Sequence, residues 1–274
     1  MASAPVNPRE RYRQQVREEI KGHAWAQVAG SGASALSLNA IAKLMGLSGP
    51  ALYRYYANRD ELVTELVLDA YRELAEVNRA AAAAAIPERR LADLATATRR
   101  WALANPHRYL LIYGTPVPGY SAPPEATTVA GGIMELLVTT YAEIDSRRRT
   151  AAGPGDGAGP GEGVGPDGTG SGDGASPGED ADPDDGTDPD AGAEAPAPAE
   201  AADAAGAAFE RHLSDCPAWT GVSPAAPAAA RAALTFWTRV HGVISLELAG
   251  HFTGMGFDPA LLYASEVASL GGAI

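Results

Sequence analysis

The sequence predicts an all-α protein with a small N-terminal helical unit and a larger C-terminal one. Apolar residues recur every three or four positions over long stretches, as between Leu234 and Leu248, which is the spacing of one buried helix face. Prolines and glycines separate these stretches, as at Pro87, Pro106 and Gly254. No segment alternates convincingly between apolar and polar residues as a half-buried strand does.

The first helix is predicted from Pro8 or Arg9 to Ala29. An apolar stripe at helical spacing supports it, formed by Tyr12, Val16, Ile20 and Trp25. After two short helices described below, a long helix is expected over 59–85, since it continues through an alanine run until a proline interrupts it. The remaining helices are expected at 88–104, 107–116, 125–148, 205–213, from 224 or 227 to about 252, and 258–270.

A short helix followed by a tight turn is predicted after Ser37, whose hydroxyl can cap the first free amides. Ile41, Ala42 and Leu44 are expected to form its apolar face. Gly46 ends the helix because glycine adopts the left-handed backbone conformation without steric cost. The following Leu47 is expected to fold back as an apolar plug.

A second short helix is predicted to start after Ser48, with Pro50 in its first turn, where a missing N–H costs little. Leu52 and Tyr56 are left to anchor this helix, since the other residues of 51–55 cannot all face inward. Two helices within about 20 residues, the second with tyrosines and an arginine on its outer face, fit a helix-turn-helix that docks in a DNA groove.

This stretch resembles the DNA-binding domain of the TetR family of bacterial transcriptional regulators, from about Arg13 to Leu68. The matching motifs appear in the family's order and spacing: SLNAIA at 37–42, GLS at 46–48, LYRYY at 52–56 and RDEL at 59–62. The departures are small, with Met45, Leu47 and Tyr56 at positions where alanine, valine and phenylalanine are commoner.

The resemblance implies a set of DNA contacts. Tyr53 and Arg59 would contact phosphates, Lys43 and Asn39 the flanking phosphates, and Arg54 and Tyr55 the base edges or the adjoining backbone. The full set of candidates is Ser37, Asn39, Lys43, Ser48, Gly49, Ala51, Tyr53, Arg54, Tyr55 and Arg59. The alternative is that Tyr53 and Tyr55 pack against the core and that Arg54 is a solvated charge.

The second half resembles the WHG-type C-terminal domain of some TetR regulators in two places: NPHRY at 105–109, followed by IYGTP at 112–116, and WTRVHG at 237–242. The resemblance implies that the last two helices form a four-helix bundle with those of a second subunit, and that helices four to eight enclose an effector pocket. Candidates for its apolar and polar walls are Trp101, Tyr109, Tyr113, Met134, Trp237 and His241. The alternative is that these are ordinary core residues.

The charge distribution separates one segment from the rest of the chain. The net charge is −13, but residues 151–203 hold 14 acidic residues and no Lys or Arg, so the remainder carries +1. Residues 1–60 hold eight basic and four acidic residues, a net charge of +4 that suits a DNA-contacting surface. Because residues 151–203 contain little beyond Gly, Pro, Asp and Ala, we expect them to be a disordered insert.

Three segments are therefore predicted: a DNA-binding domain at 9–68, an effector-binding and dimerisation domain at 69–150 and 204–274, and the acidic insert at 151–203.

We expect no catalytic residues, no metal and no cofactor, because the five histidines are scattered and no nucleophile motif is present. The single cysteine, Cys216, permits no intrachain disulfide. Without a signal peptide or an apolar run of about 20 residues, a bacterial cytoplasmic location without membrane contact is expected, with the protein on the nucleoid when DNA-bound.

The expected function is that of a sequence-specific DNA-binding regulator. It would act as a homodimer on a near-palindromic double-stranded operator, as a repressor that a small lipophilic effector releases. One alternative is a ligand-independent regulator or an activator. A second alternative, from another class, is a small enzyme that uses its helix-turn-helix to bind a partner.

Overall fold

The computed structural model describes residues 7–151, 198–216 and 227–272. Within them lie ten α-helices, a short 3-10 helix at Ala33–Ala35, and no strand. The helices are α1 Pro8–Ser31, α2 Leu38–Leu44, α3 Gly49–Leu52, α4 Arg59–Ala84, α5 Pro87–Ala104, α6 Pro106–Tyr113, α7 Pro124–Ala151, α8 Pro198–Asp215, α9 Pro227–Leu248 and α10 Pro259–Gly272. The predicted all-α class is confirmed.

Most predicted helix boundaries agree with the structure to within three residues. The clearest exception is the C-terminal end of the acidic segment, which was expected to be disordered up to residue 203. The structure places α8 from Pro198, so residues 198–203 are helical, which their three alanines favour. The rest of that prediction, for 152–197, lies outside the described residues. Helix α9 ends at Leu248 rather than near 252, and Gly250 follows with a φ of 77°.

Two hydrophobic clusters divide the helices between them. The N-terminal cluster joins α1, α2, α3 and the first half of α4, and its most buried members include Ile20, Ile41, Leu52, Tyr56 and Leu66. The C-terminal cluster joins the second half of α4 to α5, α6, α7, α9 and α10, around residues that include Leu74, Tyr109, Val138 and Ile244. Helix α4 is therefore part of both cores and is a direct physical connection between them.

Two residues expected on apolar faces are exposed. Leu44 is 67% exposed, because Leu38, Ile41 and Ala42 form the buried face of α2 and Leu44 projects well away from it. Tyr12 is 66% exposed, because the first two turns of α1 extend beyond the N-terminal cluster, whose first α1 member is Val16. Both predictions of burial were wrong.

Ion pairs join the helices at the edges of the clusters. Arg17 and Lys21 of α1 pair with Glu65 and Asp69 of α4, each at 2.7 Å. Arg99 of α5 forms a two-point ion pair with Glu247 of α9. In the part of the chain described here, no helix is both long enough and apolar enough to cross a lipid bilayer.

Candidate nucleic-acid interface and effector cavity

Helix α2 begins and ends as its sequence predicts. The Ser37 hydroxyl accepts a hydrogen bond from the backbone amide of Ala40 at 3.3 Å, which satisfies one of the free amides of the first turn. Gly46 has a φ of 66°, and the next amide, of Leu47, donates to the carbonyl of Ala42 at 2.8 Å. This turn directs the chain from α2 into α3 and packs Leu47 against the N-terminal cluster.

Helix α3 is a single turn, Gly49–Leu52, and turn residues 53–55 continue it. Leu52 and Tyr56 are fully buried, as predicted, and they hold this segment on the N-terminal cluster. Ser48 occupies the N-cap position of α3, but its side chain makes no capping hydrogen bond.

Arg17 of α1 contacts the end of the segment that follows α3, at Tyr55 and Tyr56. Its guanidinium donates to the backbone carbonyl of Tyr55 at 2.7 Å, pairs with Glu65 and lies 4.3 Å from the ring centre of Tyr56. Burial is the main cause of a raised pKa at Tyr56, whose hydroxyl donates to Glu65 at 3.4 Å and stays protonated. No sequence pattern singles out Arg17, because nothing in the sequence shows which residue lies beneath α3.

The start of α4 is fixed by its own side chains. The Asn58 side chain accepts from the amide of Glu61 at 2.8 Å, and Glu61 in turn accepts from the amide of Ala57 at 2.6 Å. Arg59 donates to the carbonyl of Ala33 at 2.8 Å and lies 3.4 Å from Asp60. Its guanidinium therefore joins α4 to the 3-10 helix as well as facing solvent in part.

The outer side of α2 and α3 carries most of the candidate DNA contacts. Tyr53 is 45% exposed, and Lys43, Arg54, Asn39, Ser37 and Ser48 are also exposed. Tyr55, Gly49, Ala51 and Arg59 are half-buried. Between residues 37 and 59 there are three basic residues and no acidic one, so this surface is positive. A positive surface on a helix-turn-helix can contact a phosphate backbone.

A cavity lies inside the C-terminal cluster, between α4, α5, α7 and α9. Its volume is about 20 Å³, which suits a single water molecule. Its walls are Asn78, Leu94, Thr98, Ile133, Leu136, Leu137, Phe236, Trp237, Val240 and His241. The walls are mainly apolar, with three polar side chains.

Two of these polar side chains pair with each other across helices. Asn78 of α4 and Thr98 of α5 are both buried, and the Thr98 hydroxyl donates to Oδ1 of Asn78 at 2.9 Å. Both residues, together with Phe236, are absent from the predicted pocket residues. The sequence gives no sign that Asn78 and Thr98 are buried, since a lone Asn or Thr within a helix is usually exposed.

The third polar side chain, His241, is stacked among aromatic rings. Its ring centre lies 4.2 Å from that of Tyr113, 5.1 Å from that of Trp237 and 5.7 Å from that of Tyr109. The Tyr109 hydroxyl lies 3.1 Å from Nδ1 of His241 and 3.0 Å from Oγ of Ser245. Burial lowers the pKa of His241 to about 4, so the imidazole is neutral near pH 7.

The six predicted pocket residues thus separate into three groups. Trp237 and His241 line the cavity, and Tyr109 and Tyr113 lie behind His241 without reaching the cavity wall. Trp101 instead donates to Glu73 of α4 at 3.2 Å, and Met134 is buried elsewhere in the C-terminal cluster. Neither Trp101 nor Met134 lines the cavity.

Helix α6 lies between the cavity and the helix-turn-helix. Tyr109 of α6 contacts His241, and the two residues that precede Tyr109 contact Trp25 of α1. His107 meets the indole edge-on at 5.6 Å, and the Arg108 guanidinium lies 4.5 Å from the indole centre. Helix α6 therefore contacts both His241 of α9 and Trp25 of α1.

The His241 imidazole and the Glu247 carboxylate have different partners. Glu247, which follows His241 on α9, is held in its ion pair with Arg99 rather than near the imidazole. Within 7–151, 198–216 and 227–272, no three His, Cys, Asp or Glu residues lie close enough together to hold a metal ion.

Family models match both halves of the chain. Residues 23–66 match the model for bacterial regulatory proteins of the tetR family, and residues 91–270 match the model for the tetracyclin repressor-like C-terminal domain. The chain is 38% identical over 157 residues to the HTH-type transcriptional regulators Rv1816 of Mycobacterium tuberculosis and Mb1846 of Mycobacterium bovis. In each comparison the match covers 54% of this chain and 67% of the relative.

Two solved structures resemble the whole chain. The crystal structure of SCO4313, described as a regulatory protein, has a TM-score of 0.69 and 46% identity, and the match covers 97% of this chain and all of that one. A protein of unknown function from Rhodococcus sp. RHA1 has a TM-score of 0.57 over 94% of this chain. At 18% identity the second likeness shows a shared fold alone.

Proposed function

Since the chain belongs to the TetR family of bacterial transcriptional regulators, we propose that it binds a near-palindromic operator as a homodimer and represses transcription until a small lipophilic effector releases it. In this proposal, residues 9–68 form the DNA-binding domain. Residues 69–150 and 204–274 form the effector-binding and dimerisation domain, and 151–203 are an acidic insert.

The exposed, acid-free surface of α2 and α3 is the observation that carries the proposal. Lys43, Tyr53 and Arg54 project from it, while Leu52 and Tyr56 bind the segment to the core. Anchoring residues that are fully buried hold the exposed side chains in a fixed arrangement. A fixed arrangement is needed for docking against a groove, because phosphate contacts set the register in which base contacts are made.

The proposed contacts differ in what they contribute. Arg54 is exposed and can reach a guanine edge, where a two-point hydrogen bond is worth roughly 1–3 kcal/mol of discrimination. Tyr53, Arg59, Lys43 and Asn39 are proposed as phosphate contacts, with Ser37 and Ser48 at the starts of α2 and α3 beside them. Tyr55 is half-buried, so only part of its ring is available to DNA.

Dimerisation is proposed through α9 and α10. Large apolar side chains stand exposed on these helices and on the turn between them, with Leu261 at 71% exposure, followed by Met255, Leu246 and Phe257. Several large exposed apolar side chains on neighbouring elements favour a protein partner. A change of Leu261→Glu should convert the dimer to monomer in light scattering, whereas Ile86→Glu, at an exposed apolar residue between α4 and α5, should leave the dimer intact.

Effector release is proposed to act through α6 and α4. A ligand that displaces His241 would move Tyr109 and Tyr113 of α6, and with them the contacts of His107 and Arg108 on Trp25. The helix-turn-helix of each subunit would then lose the spacing that the operator requires. A coupling free energy of about 1–3 kcal/mol is enough to lower operator occupancy by one or two decades.

Binding-site selection from genomic DNA with the purified full-length protein tests the proposal. We expect one enriched near-palindromic site, with half-sites about one helical turn apart, and an affinity that falls steeply with salt. The absence of any enriched site, or an affinity independent of sequence and salt, would count against it.

A ligand-independent regulator is the second candidate. The small cavity volume favours it, because a ligand larger than water requires side chains to move. Operator affinity that no small molecule changes, across a broad library of neutral and charged compounds, would support this second candidate.

A further inference from the structure

The chemistry of the cavity between α4, α5, α7 and α9 narrows the class of effector, and this inference rests on the proposed function. We propose that the effector is a compact, uncharged molecule with an apolar body and one hydrogen-bond acceptor, which the side-chain amide of Asn78 recognises.

The cavity walls provide no partner for a charged ligand. Among the described residues that line it, none is Asp, Glu, Lys or Arg. The ion pair between Arg99 of α5 and Glu247 of α9 is satisfied internally by two hydrogen bonds at 2.6 and 2.9 Å. A charged ligand would lose its hydration without gaining a counter-charge, and such a loss is costly in an apolar interior.

His241 does not change this conclusion. It is enclosed by Tyr109, Tyr113 and Trp237, and its hydrogen bonding to the Tyr109 hydroxyl involves a neutral partner. Burial holds the pKa of His241 low, so the ring carries no charge that could attract a carboxylate near neutral pH. The imidazole therefore offers the ligand a neutral polar edge.

Asn78 contributes a buried side-chain amide to the wall, and this amide has hydrogen-bonding capacity to spare. It is only 3% exposed, and its partner among the described residues is Thr98, whose hydroxyl donates to Oδ1. This arrangement occupies the acceptor of the amide and leaves its two N–H donors for a group in the cavity. Because a buried donor is costly to leave unpaired, a ligand that brings an acceptor gains affinity there.

The size of the ligand follows from the cavity and its rim. A volume of about 20 Å³ holds one water, so a larger ligand must displace wall residues. Leu136 and Trp237 are only half-buried, whereas most of the apolar wall is fully buried, so they lie where the cavity approaches the surface. Because any ligand larger than water must displace side chains such as that of Trp237, we expect a compact ligand.

Three probes of similar size separate charge from hydrogen bonding. Benzamide is neutral and carries a carbonyl acceptor, toluene is neutral without an acceptor, and benzoate is charged. Their dissociation constants would be measured by ligand-observed NMR on the full-length protein and on a Trp237→Ala variant with the cavity enlarged. We expect benzamide to bind about tenfold more tightly than toluene and at least a hundredfold more tightly than benzoate. The variant should bind both neutral probes more tightly than the unaltered protein.

Substitutions test the role of Asn78 itself. Asn78→Leu should abolish the preference for benzamide over toluene while retaining toluene binding. Thr96→Val is the matched control, because Thr96 lies on α5 with its hydroxyl bonded to the carbonyl of Ala92, away from the cavity. It should leave all three constants unchanged. If Asn78→Leu does not fold, the comparison of the three probes on the unaltered chain still tests the inference.

Equal affinity for benzoate and benzamide would overturn the inference, as would equal affinity for benzamide and toluene or a preference that survives Asn78→Leu. Failure of benzamide to bind the Trp237→Ala variant would overturn it as well. These outcomes are separate from operator binding, which is measured without any probe. An enriched operator with no benzamide binding refutes the ligand class alone, whereas benzamide binding with no operator refutes the proposed function.

Discussion

The N-terminal and C-terminal clusters differ in how they use polar side chains. Along the seam between α1 and α4, the N-terminal cluster is bordered by charged pairs, Arg17 with Glu65 and Lys21 with Asp69, that are partly open to solvent. The polar groups at the cavity of the C-terminal cluster are neutral and lie within it, as in the Asn78–Thr98 bond and the contacts of His241. Charge surrounds one core, and neutral hydrogen bonds lie inside the other.

The difference suits different tasks. At the N-terminal cluster, Arg17 holds both Glu65 and the Tyr55 carbonyl, so the segment after α3 is fixed by several bonds to one side chain. A surface that reads DNA benefits from such fixed geometry. Inside the C-terminal cluster, a neutral hydrogen bond contributes only about 1 kcal/mol, so a ligand that replaces it can shift the side chains at small cost.

The largest expected effect is in the fixed half. Leu52→Ala removes a fully buried side chain beneath the DNA-facing segment, and we expect a loss of about 3 kcal/mol in the free energy of unfolding. Leu44→Ala in the same helix-turn-helix is the control. Because Leu44 is mostly exposed, its substitution should change stability by less than about 0.5 kcal/mol. Chemical denaturation of both variants checks this, and equal losses would contradict the burial pattern.

A slightly smaller effect on the free energy of unfolding is expected from pH, through His241 of the C-terminal cluster. The ordinary pKa of histidine is about 6.5, and burial lowers that of His241 to about 4 in the folded protein. Protons therefore bind the unfolded chain more readily, so this contribution to stability is complete above pH 6.5 and is lost as the pH falls toward 4. Its full value is about 3 kcal/mol, given 1.4 kcal/mol for each pKa unit.

Comparison with a His241→Asn variant isolates this contribution. The difference in unfolding free energy between the two proteins should shrink by about 2–3 kcal/mol from pH 7.5 to pH 4.5, since other groups titrate alike in both. Urea denaturation across that range measures it. Parallel pH profiles would mean that the imidazole is not buried as a neutral group.

The sequence predicted the helix-turn-helix closely and the cavity only in part. Ser37, Gly46, Leu52 and Tyr56 act within a few residues of their own positions, through a cap, a left-handed turn and local burial, so a local pattern shows them. The cavity wall combines Asn78 of α4 with residues of three other helices, and no local pattern encodes which helix faces form a wall. Trp101 illustrates the same limit, because its indole donates to Glu73 rather than facing the cavity.

The third expected effect concerns the contribution of an ion pair to the stability of the C-terminal half. Arg99 and Glu247 form a largely buried ion pair there, with side chains only 19% and 15% exposed. Arg99→Gln leaves the carboxylate without its partner, and we expect a loss of about 2 kcal/mol, reduced by partial solvent access. The neighbouring Arg100→Gln serves as control, since Arg100 is exposed and should cost less than about 0.5 kcal/mol. Thermal unfolding distinguishes the two, and similar losses would argue against a specific pair.

The smallest changes are expected at the DNA surface, where they alter binding rather than folding. Arg54→Ala should relax base preference at one operator position by about 1–2 kcal/mol, because an exposed arginine is the side chain suited to a guanine edge. Arg59→Ala should weaken binding to all sequences about equally and lower the salt slope by about one unit. Quantitative binding to the selected operator and its single-base variants measures both.

The two arginines also differ in what holds them, and this makes the comparison sharper. Arg59 donates to the Ala33 carbonyl, so its loss also loosens the contact between α4 and the 3-10 helix, and unfolding curves must accompany the binding data. Arg54 is exposed, so Arg54→Ala should leave stability unchanged while altering specificity. If Arg54→Ala instead weakened all sites equally, the base-reading role would pass to another residue on this surface, and Tyr55 would be the first to test.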